Sequence, residues 1–126
     1  MQGVDLKGCE VLLVEDEPLV MMDVCEALED IGARVHCAKN TAEAAELMSQ
    51  KRIQAAVLDY KLNGETADEL CHDLKRKEIP FAIYSGYRDV DGDCAHGEII
   101  EKPARAEELV ALVLRMLSEK GLYVPA

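Results

Sequence analysis

The chain has 126 residues, 49% of them hydrophobic, which suits one ordinary domain with a single core. Its formal net charge of -11 would repel phosphate backbones and anionic lipids, so we do not expect direct binding to nucleic acid or membranes. The sequence has no apolar stretch long enough to span a bilayer and no signal-peptide pattern at its start, which predicts a cytoplasmic protein.

Cysteines and histidines show no pattern typical of a disulfide framework or a zinc site. The five cysteines, at positions 9, 25, 37, 71 and 94, are an odd number without C-x-x-C spacing, and we expect most of them to be small buried hydrophobes. The three histidines share no metal-ligand spacing with each other or with the cysteines, so we expect structural or solvent-exposed roles for them.

The apolar run at residues 10–15, EVLLVE, predicts a first strand that ends in carboxylates. Pro18 lies in the first turn of the following helix, where proline is tolerated, and Gly32 caps the end of this helix. Leu19 and Met22 lie near its start and outside its core-facing stripe. The stripe has helical spacing and comprises Val20, Val24, Ala27, Leu28 and Ile31.

Asp59 follows an unbroken apolar run within residues 53–64, IQAAVLDYKLNG. A predicted strand, Arg34–Ala38, and a helix that begins with a capping-box variant at Asn40 and Glu43 precede it. Such a run is typical of a strand covered on both faces, and ligands gather beyond the carboxyl ends of these strands, so Asp59 is a candidate ligand or nucleophile. Taken alone, Asp59 could equally end the strand before the Asn-Gly turn.

The second half of the chain continues the alternation of strands and helices. Thr66 and Glu69 form a second capping-box pattern at the start of a third helix, and Phe81–Ser85 predicts a strand that ends in a hydroxyl. Residues 88–97 contain two glycines and three aspartates, so we expect at most a short helix there. Glu98–Glu101 predicts the fifth strand, and the last helix has a buried stripe at Leu109, Val113, Met116 and Leu117. This order predicts an α/β fold with a parallel, doubly wound, five-stranded sheet.

Polar groups end four of the five predicted strands: Glu15-Asp16, Asp59, Ser85 and Lys102. Right-handed crossovers bring these ends to one edge of the sheet. Three carboxylates there repel one another unless a hard divalent cation neutralises them, and Mg²⁺ suits so few protein ligands. Separately, Asp16 could cap a helix, Ser85 end a strand and Lys102 be a surface charge. Together, carboxylate, Mg²⁺, ammonium and hydroxyl predict a centre for phosphoryl transfer.

The motifs VLLVEDEP, VLDYKLNG, AIYSGY and IIEKP, in this order and spacing, resemble the receiver domain of two-component response regulators over nearly the whole chain. The resemblance implies a flavodoxin-like sheet in the order 2-1-3-4-5, as in a chemotaxis member of this family. It implies that Asp59 accepts a phosphoryl group from a histidine kinase or a histidine phosphotransfer protein. Ser85 and Lys102 would contact that group, and Lys102-Pro103 would be a cis peptide.

The same resemblance implies how Mg²⁺ is held. Asp16 and Asp59 would bind the ion directly, Glu15 would help through water, and the backbone carbonyl of Lys61 would be a further ligand. Lys61 and Tyr87 would also flank the path of the attacking water, which predicts slow or moderate hydrolysis of the phosphoryl group.

PFAIYSGY resembles more narrowly a subgroup of stand-alone receivers with a Pro-Phe-x-x-x-Thr/Ser-Gly-Tyr motif. We therefore expect residues 1–126 to form a single receiver domain, which is not an enzyme beyond its own phosphorylation and dephosphorylation. Ile99 stands where many receivers have Tyr or Phe, and Ala104 replaces a frequent aromatic residue. Because Ile99 removes the usual aromatic switch, we expect residues 88–97 to change order on phosphorylation.

Other functions remain open at this point. A phosphatase of the haloacid-dehalogenase type also uses a strand-end Asp, but it needs a second Asp where Lys61 stands. A receiver-like binding module that works without phosphorylation would be distinguished by a Mg²⁺ titration. The chain could also be the receiver part of a hybrid histidine kinase.

Two apolar pairs predict surfaces for partners. Leu19 and Met22 lie beside the predicted site, where a helical kinase could dock, as family members do. Val110 and Leu114 lie off the predicted stripe of the last helix and indicate a surface for an output protein or a homodimer.

Overall fold

All five predicted sheet strands are present in the computed structural model, which describes residues 6, 8–62, 64–86, 90 and 92–121. The strands in chain order are β1 (Glu10–Val14), β2 (Arg34–Ala38), β3 (Ala55–Asp59), β4 (Lys61–Leu62), β5 (Glu65–Thr66), β6 (Phe81–Ser85) and β7 (Glu98–Glu101). The helices are α1 (Pro18–Asp30), α2 (Thr41–Gln50), α3 (Asp68–Arg76) and α4 (Ala106–Glu119), with a 3₁₀ helix at Gly92–His96.

The main sheet is parallel and has the order β2-β1-β3-β6-β7. Because β4 and β5 form a separate two-stranded antiparallel pair, this order is 2-1-3-4-5 for the predicted strands, which confirms the flavodoxin-like fold. Strand β3 lies in the centre, and all of its residues are buried. Helices cover both faces of the sheet, which explains why the central strands β1, β3 and β6 have nearly uninterrupted apolar runs.

The core has one layer on each face of the sheet. On one face, α1 and α4 pack against β1, β3 and β6 through residues that include Val24, Leu28, Val113, Leu117, Leu13 and Val57. On the other face, α2 and α3 pack through residues that include Met48, Leu70, Leu74, Leu12, Leu58 and Ile83. Each fully buried leucine or valine contributes roughly 1.5–3 kcal/mol through the hydrophobic effect. These layers fix the strand ends at which the candidate site lies.

Helix boundaries agree with most of the predicted signals. Pro18 begins α1, and Gly32 follows its end with a φ of 94°. The Asn40 side chain accepts a hydrogen bond of 2.8 Å from the Glu43 N–H, and the Glu43 carboxylate accepts one of 3.1 Å from the Lys39 N–H. The predicted start of α2 is therefore confirmed.

The second predicted capping box, at Thr66 and Glu69, is wrong. Helix α3 begins after Ala67 without a side-chain cap, and the Thr66 hydroxyl donates to Asp68 instead. Thr66 belongs to β5 and pairs with Lys61, so tertiary pairing prevails over the local capping pattern.

The prediction that Val110 and Leu114 are exposed on the last helix is also wrong. Val110 and Leu114 are only 4% and 8% exposed. Helix α4 packs against both the sheet and α1, so its apolar stripe is wider than one neighbour would require. The buried set comprises Ala106, Leu109, Val110, Val113, Leu114, Met116 and Leu117. This pair is therefore not available to an output protein or to a second copy of the chain.

The cysteine prediction needs a correction as well. Cys71 of α3 and Cys94 of the 3₁₀ helix form a disulfide bond, and both are fully buried. Cys9 is buried as expected, whereas Cys25 is half-buried and Cys37 is exposed. The spacing did not reveal the disulfide because the two cysteines meet only when the 3₁₀ helix packs against α3.

The segment between β6 and β7 contains the short helix that was expected. Its described part comprises Val90 and residues 92–97; residues 88, 89 and 91 lie outside the described residues, as does Tyr87. Besides the disulfide, Asp93 contacts His72 Nδ1 at 2.7 Å and Lys75 Nζ at 3.3 Å. None of the described helices combines the length and apolar character that a membrane span requires.

Candidate functional site

Three carboxylates meet at the carboxyl edge of the sheet. Strand β1 pairs with β3 so that Val14 lies opposite Leu58, which places Glu15 and Asp16 beside Asp59. One carboxylate oxygen from each of these three residues lies within 4.8 Å of the other two. Oxygen ligands at this spacing are the donor set that hard divalent cations such as Mg²⁺ require. The predicted acidic cluster is thus present and fits this ion.

Asp59 lies between a backbone amide and an ammonium group. Its Oδ2 is 3.0 Å from Lys102 Nζ, and its Oδ1 accepts a hydrogen bond of 3.3 Å from the Lys61 N–H. Burial raises the pKa of the Asp59 carboxyl above its ordinary value, whereas the hydrogen bond and charge of Lys102 act to lower it. Lys102 therefore favours the ionised carboxylate, which is the form that can act as a nucleophile.

Ser85 and Lys102 are held on adjoining strand ends. Ser85 ends β6 and is 1% exposed, and its carbonyl accepts a hydrogen bond of 2.8 Å from the Lys102 N–H just after β7. The Lys102-Pro103 peptide is cis, as predicted. Lys61 has an exposed side chain and meets Asp59 through its N–H; the role of its carbonyl as a metal ligand stays a prediction.

Glu15 has a partner that the sequence analysis missed. The hydroxyl of Tyr84 donates a hydrogen bond to Glu15 Oε2, and the Glu17 N–H donates one of 2.9 Å to Oε1. Burial raises the pKa of Glu15, and these two hydrogen bonds act against it. Burial, followed by contact with Glu15, also raises the pKa of the Tyr84 hydroxyl, which stays protonated as a donor. A tyrosine in an otherwise apolar strand was the available signal, because a buried hydroxyl usually needs a partner.

The surface beside the site is apolar on the side of α1. Leu19 and Met22 are 76% and 65% exposed, which confirms their predicted position outside the core. An open pocket of about 380 Å³ lies between the start of α1 and the segment after β7, and it is lined by Glu17, Val20, Tyr84, Lys102, Pro103 and Ala104. Ile99, on the edge strand β7, is 50% exposed.

A doubly wound parallel sheet with a buried aspartate, an acidic pair and a lysine at its carboxyl edge defines a class of phosphoryl-accepting signalling domains. Residues 11–114 match the family model of the response regulator receiver domain. The chain belongs to this family.

Curated relatives share the chain's sequence over part of their own length. The chain is 32% identical over 117 residues to the nitrogen assimilation regulatory protein NtrX of Azorhizobium caulinodans, which covers 86% of this chain and 26% of that protein. It is 31% identical over 130 residues to the sensor kinase CckA of Brucella abortus, which covers 94% of this chain and 14% of that protein. The chain thus spans about a quarter or less of the length of these two relatives.

Solved structures share the fold. A CheY-like receiver domain protein from Methanospirillum hungatei superposes with a TM-score of 0.79 at 21% identity, covering 90% of this chain and 96% of that one. The response regulator TrrA of Thermotoga maritima, solved in complex with Mg²⁺-BeF, superposes with a TM-score of 0.75 at 23% identity, covering 86% of this chain and 99% of that one. At these identities the likeness concerns the fold alone.

Proposed function

We propose that this receiver accepts a phosphoryl group on Asp59 from the phosphohistidine of a histidine kinase or a histidine phosphotransfer protein. The observation that carries the proposal is the position of the Asp59 carboxylate, 3.0 Å from Lys102 and within the acidic cluster of Glu15 and Asp16. A carboxylate oxygen of Asp59 forms the new bond to phosphorus while the bond from phosphorus to the histidine nitrogen breaks. The histidine nitrogen keeps the electron pair of that bond.

The residues around Asp59 have separate tasks in this transfer. Asp16 and Asp59 would hold Mg²⁺, Glu15 would act through water, and the Lys61 carbonyl would be a further ligand. When bound, the ion neutralises charge on the phosphoryl oxygens. Lys102 and Ser85 bind the transferred group, because an ammonium and a hydroxyl at the strand ends favour the charge that it carries.

The domain promotes only its own phosphorylation and dephosphorylation and is not an enzyme on other substrates. We propose that it is a single receiver domain in the cytoplasm and belongs to the stand-alone subgroup with the Pro-Phe motif, which Pro80 and Phe81 support. The likeness to a segment of the sensor kinase CckA favours a second candidate, the receiver part of a larger kinase. The size of the protein that an antibody detects in its own cells distinguishes these two.

The kinase is proposed to dock at the start of α1. Leu19 and Met22 are exposed apolar side chains next to the edge at which Asp59 lies, and a helical partner could bury them. Residues 88–97 are proposed to change order on phosphorylation, because they follow Ser85 closely in the chain.

Labelling by a small phosphodonor in Mg²⁺ tests the proposed acceptor. Asp59→Asn should abolish stoichiometric labelling, whereas the matched variant Asp73→Asn, which changes a carboxylate on α3, should label normally. A receiver-like module that works without phosphorylation would not be labelled even as wild type. Full labelling of Asp59→Asn would show that another residue is the acceptor.

A further inference from the structure

Tyr84 lies between the two halves of the candidate site, which are the acidic cluster with Glu15 and the side with Lys102. Tyr84 is a residue of β6, and it is buried in the core layer that contains α1 and α4, with 2% exposure. The hydroxyl donates to Glu15 on the side of the acidic cluster. On the other side, Lys102 Nζ lies 5.0 Å from the centroid of the ring. One side chain therefore contacts both a carboxylate proposed to act on the metal and the lysine proposed to bind the phosphoryl group.

The hydroxyl of Tyr84 fixes the direction of the Glu15 carboxylate. Glu15 is 1% exposed, so its oxygens depend on protein donors in place of bulk water. Oε1 accepts from the Glu17 N–H at 2.9 Å, and Oε2 accepts from Tyr84. Two donors on different oxygens define the plane of a carboxylate better than one, and such partners of metal-binding carboxylates tune the affinity for the metal.

The ring of Tyr84 limits where Lys102 can lie. Lysine has a flexible four-carbon stem, so its ammonium group does not reach one position without support. The face of an aromatic ring attracts a cation within about 6 Å, and Lys102 Nζ lies inside this distance while it contacts Asp59 Oδ2 at 3.0 Å. The ring and the carboxylate together hold the ammonium group at the place where the phosphoryl oxygens would arrive.

We propose that Tyr84 is a positioning residue for both halves of the site: its hydroxyl orients Glu15 for the metal, and its ring holds Lys102 beside Asp59. This inference rests on the proposed function, in which the acidic cluster binds Mg²⁺ and Asp59 is phosphorylated. Tyr84 itself takes no part in bond making. Its two contacts can be removed one at a time, because phenylalanine keeps the ring without the hydroxyl and leucine keeps neither.

Calorimetric titration with Mg²⁺ separates the role of the hydroxyl from general packing. Tyr84→Phe should weaken Mg²⁺ binding about tenfold, since loss of a hydrogen-bond partner behind a metal-binding carboxylate commonly has an effect of this size. Ile83→Val, a core change on the same strand but towards the other face of the sheet, should leave the affinity unchanged. Unchanged or tighter binding in Tyr84→Phe would overturn the role of the hydroxyl, whatever its effect on thermal unfolding.

The rate of labelling by a small phosphodonor at saturating Mg²⁺ tests the role of the ring. This rate should fall further in Tyr84→Leu than in Tyr84→Phe, because only leucine leaves Lys102 without the ring. Equal rates in the two variants would overturn the role of the ring. If Tyr84→Leu does not fold, Tyr84→Met replaces it, since methionine also lacks the ring.

The wild-type titration distinguishes failure of this inference from failure of the proposed function. Mg²⁺ binding by the wild type that Asp16→Asn removes supports the proposed metal site. If the wild type binds in this way and Tyr84→Phe binds equally well, only the role of the Tyr84 hydroxyl is overturned. Wild-type protein that binds no Mg²⁺ would overturn both.

Discussion

Helices α1 and α4 lie on the same face of the sheet and pack against each other. Each helix has apolar residues outside its predicted core-facing stripe, and these residues differ in exposure. Leu19 and Met22, in the first turns of α1, are exposed, whereas Val110 and Leu114 of α4 are buried. The first turns of α1 lie at the carboxyl edge of the sheet, whereas this part of α4 packs against both the sheet and α1. An apolar pair beside a core stripe thus indicates a partner surface only when no second helix covers it.

The largest effect on stability is expected from a charge introduced into the buried pair Val110 and Leu114. Leu114→Asp should lower the free energy of unfolding by more than about 4 kcal/mol, because it removes apolar packing and buries an unpaired carboxylate. Met22→Asp should change it by less than about 0.5 kcal/mol, since exposed substitutions have small effects. Urea unfolding measures both. A Leu114→Asp protein as stable as wild type would mean that α4 does expose this face.

Reduction of the disulfide extends the comparison to α3, whose buried face meets the 3₁₀ helix. Cys71 and Cys94 are separated by 23 positions in sequence, and a disulfide that closes a loop of this size contributes about 3 kcal/mol. Reductant should therefore lower the unfolding free energy of the wild type by about this amount. The Cys71→Ala, Cys94→Ala double variant is the control and should not respond to reductant. An equal response in both proteins would contradict the assignment.

A charge introduced into the exposed pair Leu19 and Met22 should weaken docking of the kinase and leave the fold intact. Met22→Glu should slow phosphotransfer from the cognate kinase roughly tenfold, the effect of losing a modest contact of about 1.4 kcal/mol at an interface. Labelling by a small phosphodonor measures the integrity of the site and should be unaffected. Ile99→Glu, a charge at an exposed apolar residue on the edge strand, is the matched control and should transfer normally. Equal slowing by both variants would show that α1 has no special role in docking.

The smallest effect is expected at the surface contact between Asp93 and His72. The hydrogen bond with His72 holds the pKa of Asp93 below its ordinary value. A carboxyl with a lowered pKa in the folded state stabilises the fold above its ordinary pKa, and this contribution is lost as the pH falls through the lowered value. The free energy of unfolding, measured in urea, should therefore fall slightly less between neutral pH and about pH 3 in Asp93→Asn than in the wild type. A steeper loss in the variant would reverse the assigned sign.

Most of the fold and the acidic cluster could be predicted because local sequence determines them. The apolar runs before Glu15, Asp59 and Ser85 are strands in the structure, and their ends meet because parallel pairing aligns them. The partner of the Tyr84 hydroxyl could not be predicted in this way. Tyr84 and Glu15 are 69 positions apart, and their contact forms only because β1 and β6 flank β3 in the same sheet.

The errors have the same physical origin. Thr66 has the residues of a capping box around it, but its backbone pairs with Lys61 in an antiparallel ladder. Val110 and Leu114 have the spacing of an exposed pair, but both are buried in the core cluster in which α4 packs against α1 and the sheet. Local patterns give the intrinsic preference of a segment, whereas its neighbours in space decide which groups become buried.

The measurement that tests the central claim most directly is the location of the phosphoryl group on the wild-type chain. After Mg²⁺-dependent phosphorylation, borohydride reduces an aspartyl phosphate to homoserine, and mass spectrometry of the peptides locates the change. We expect the modified residue to be Asp59, with Asp16 and the half-buried Asp73 unchanged. Modification at any other residue, or none under conditions that phosphorylate an established receiver, would contradict the account.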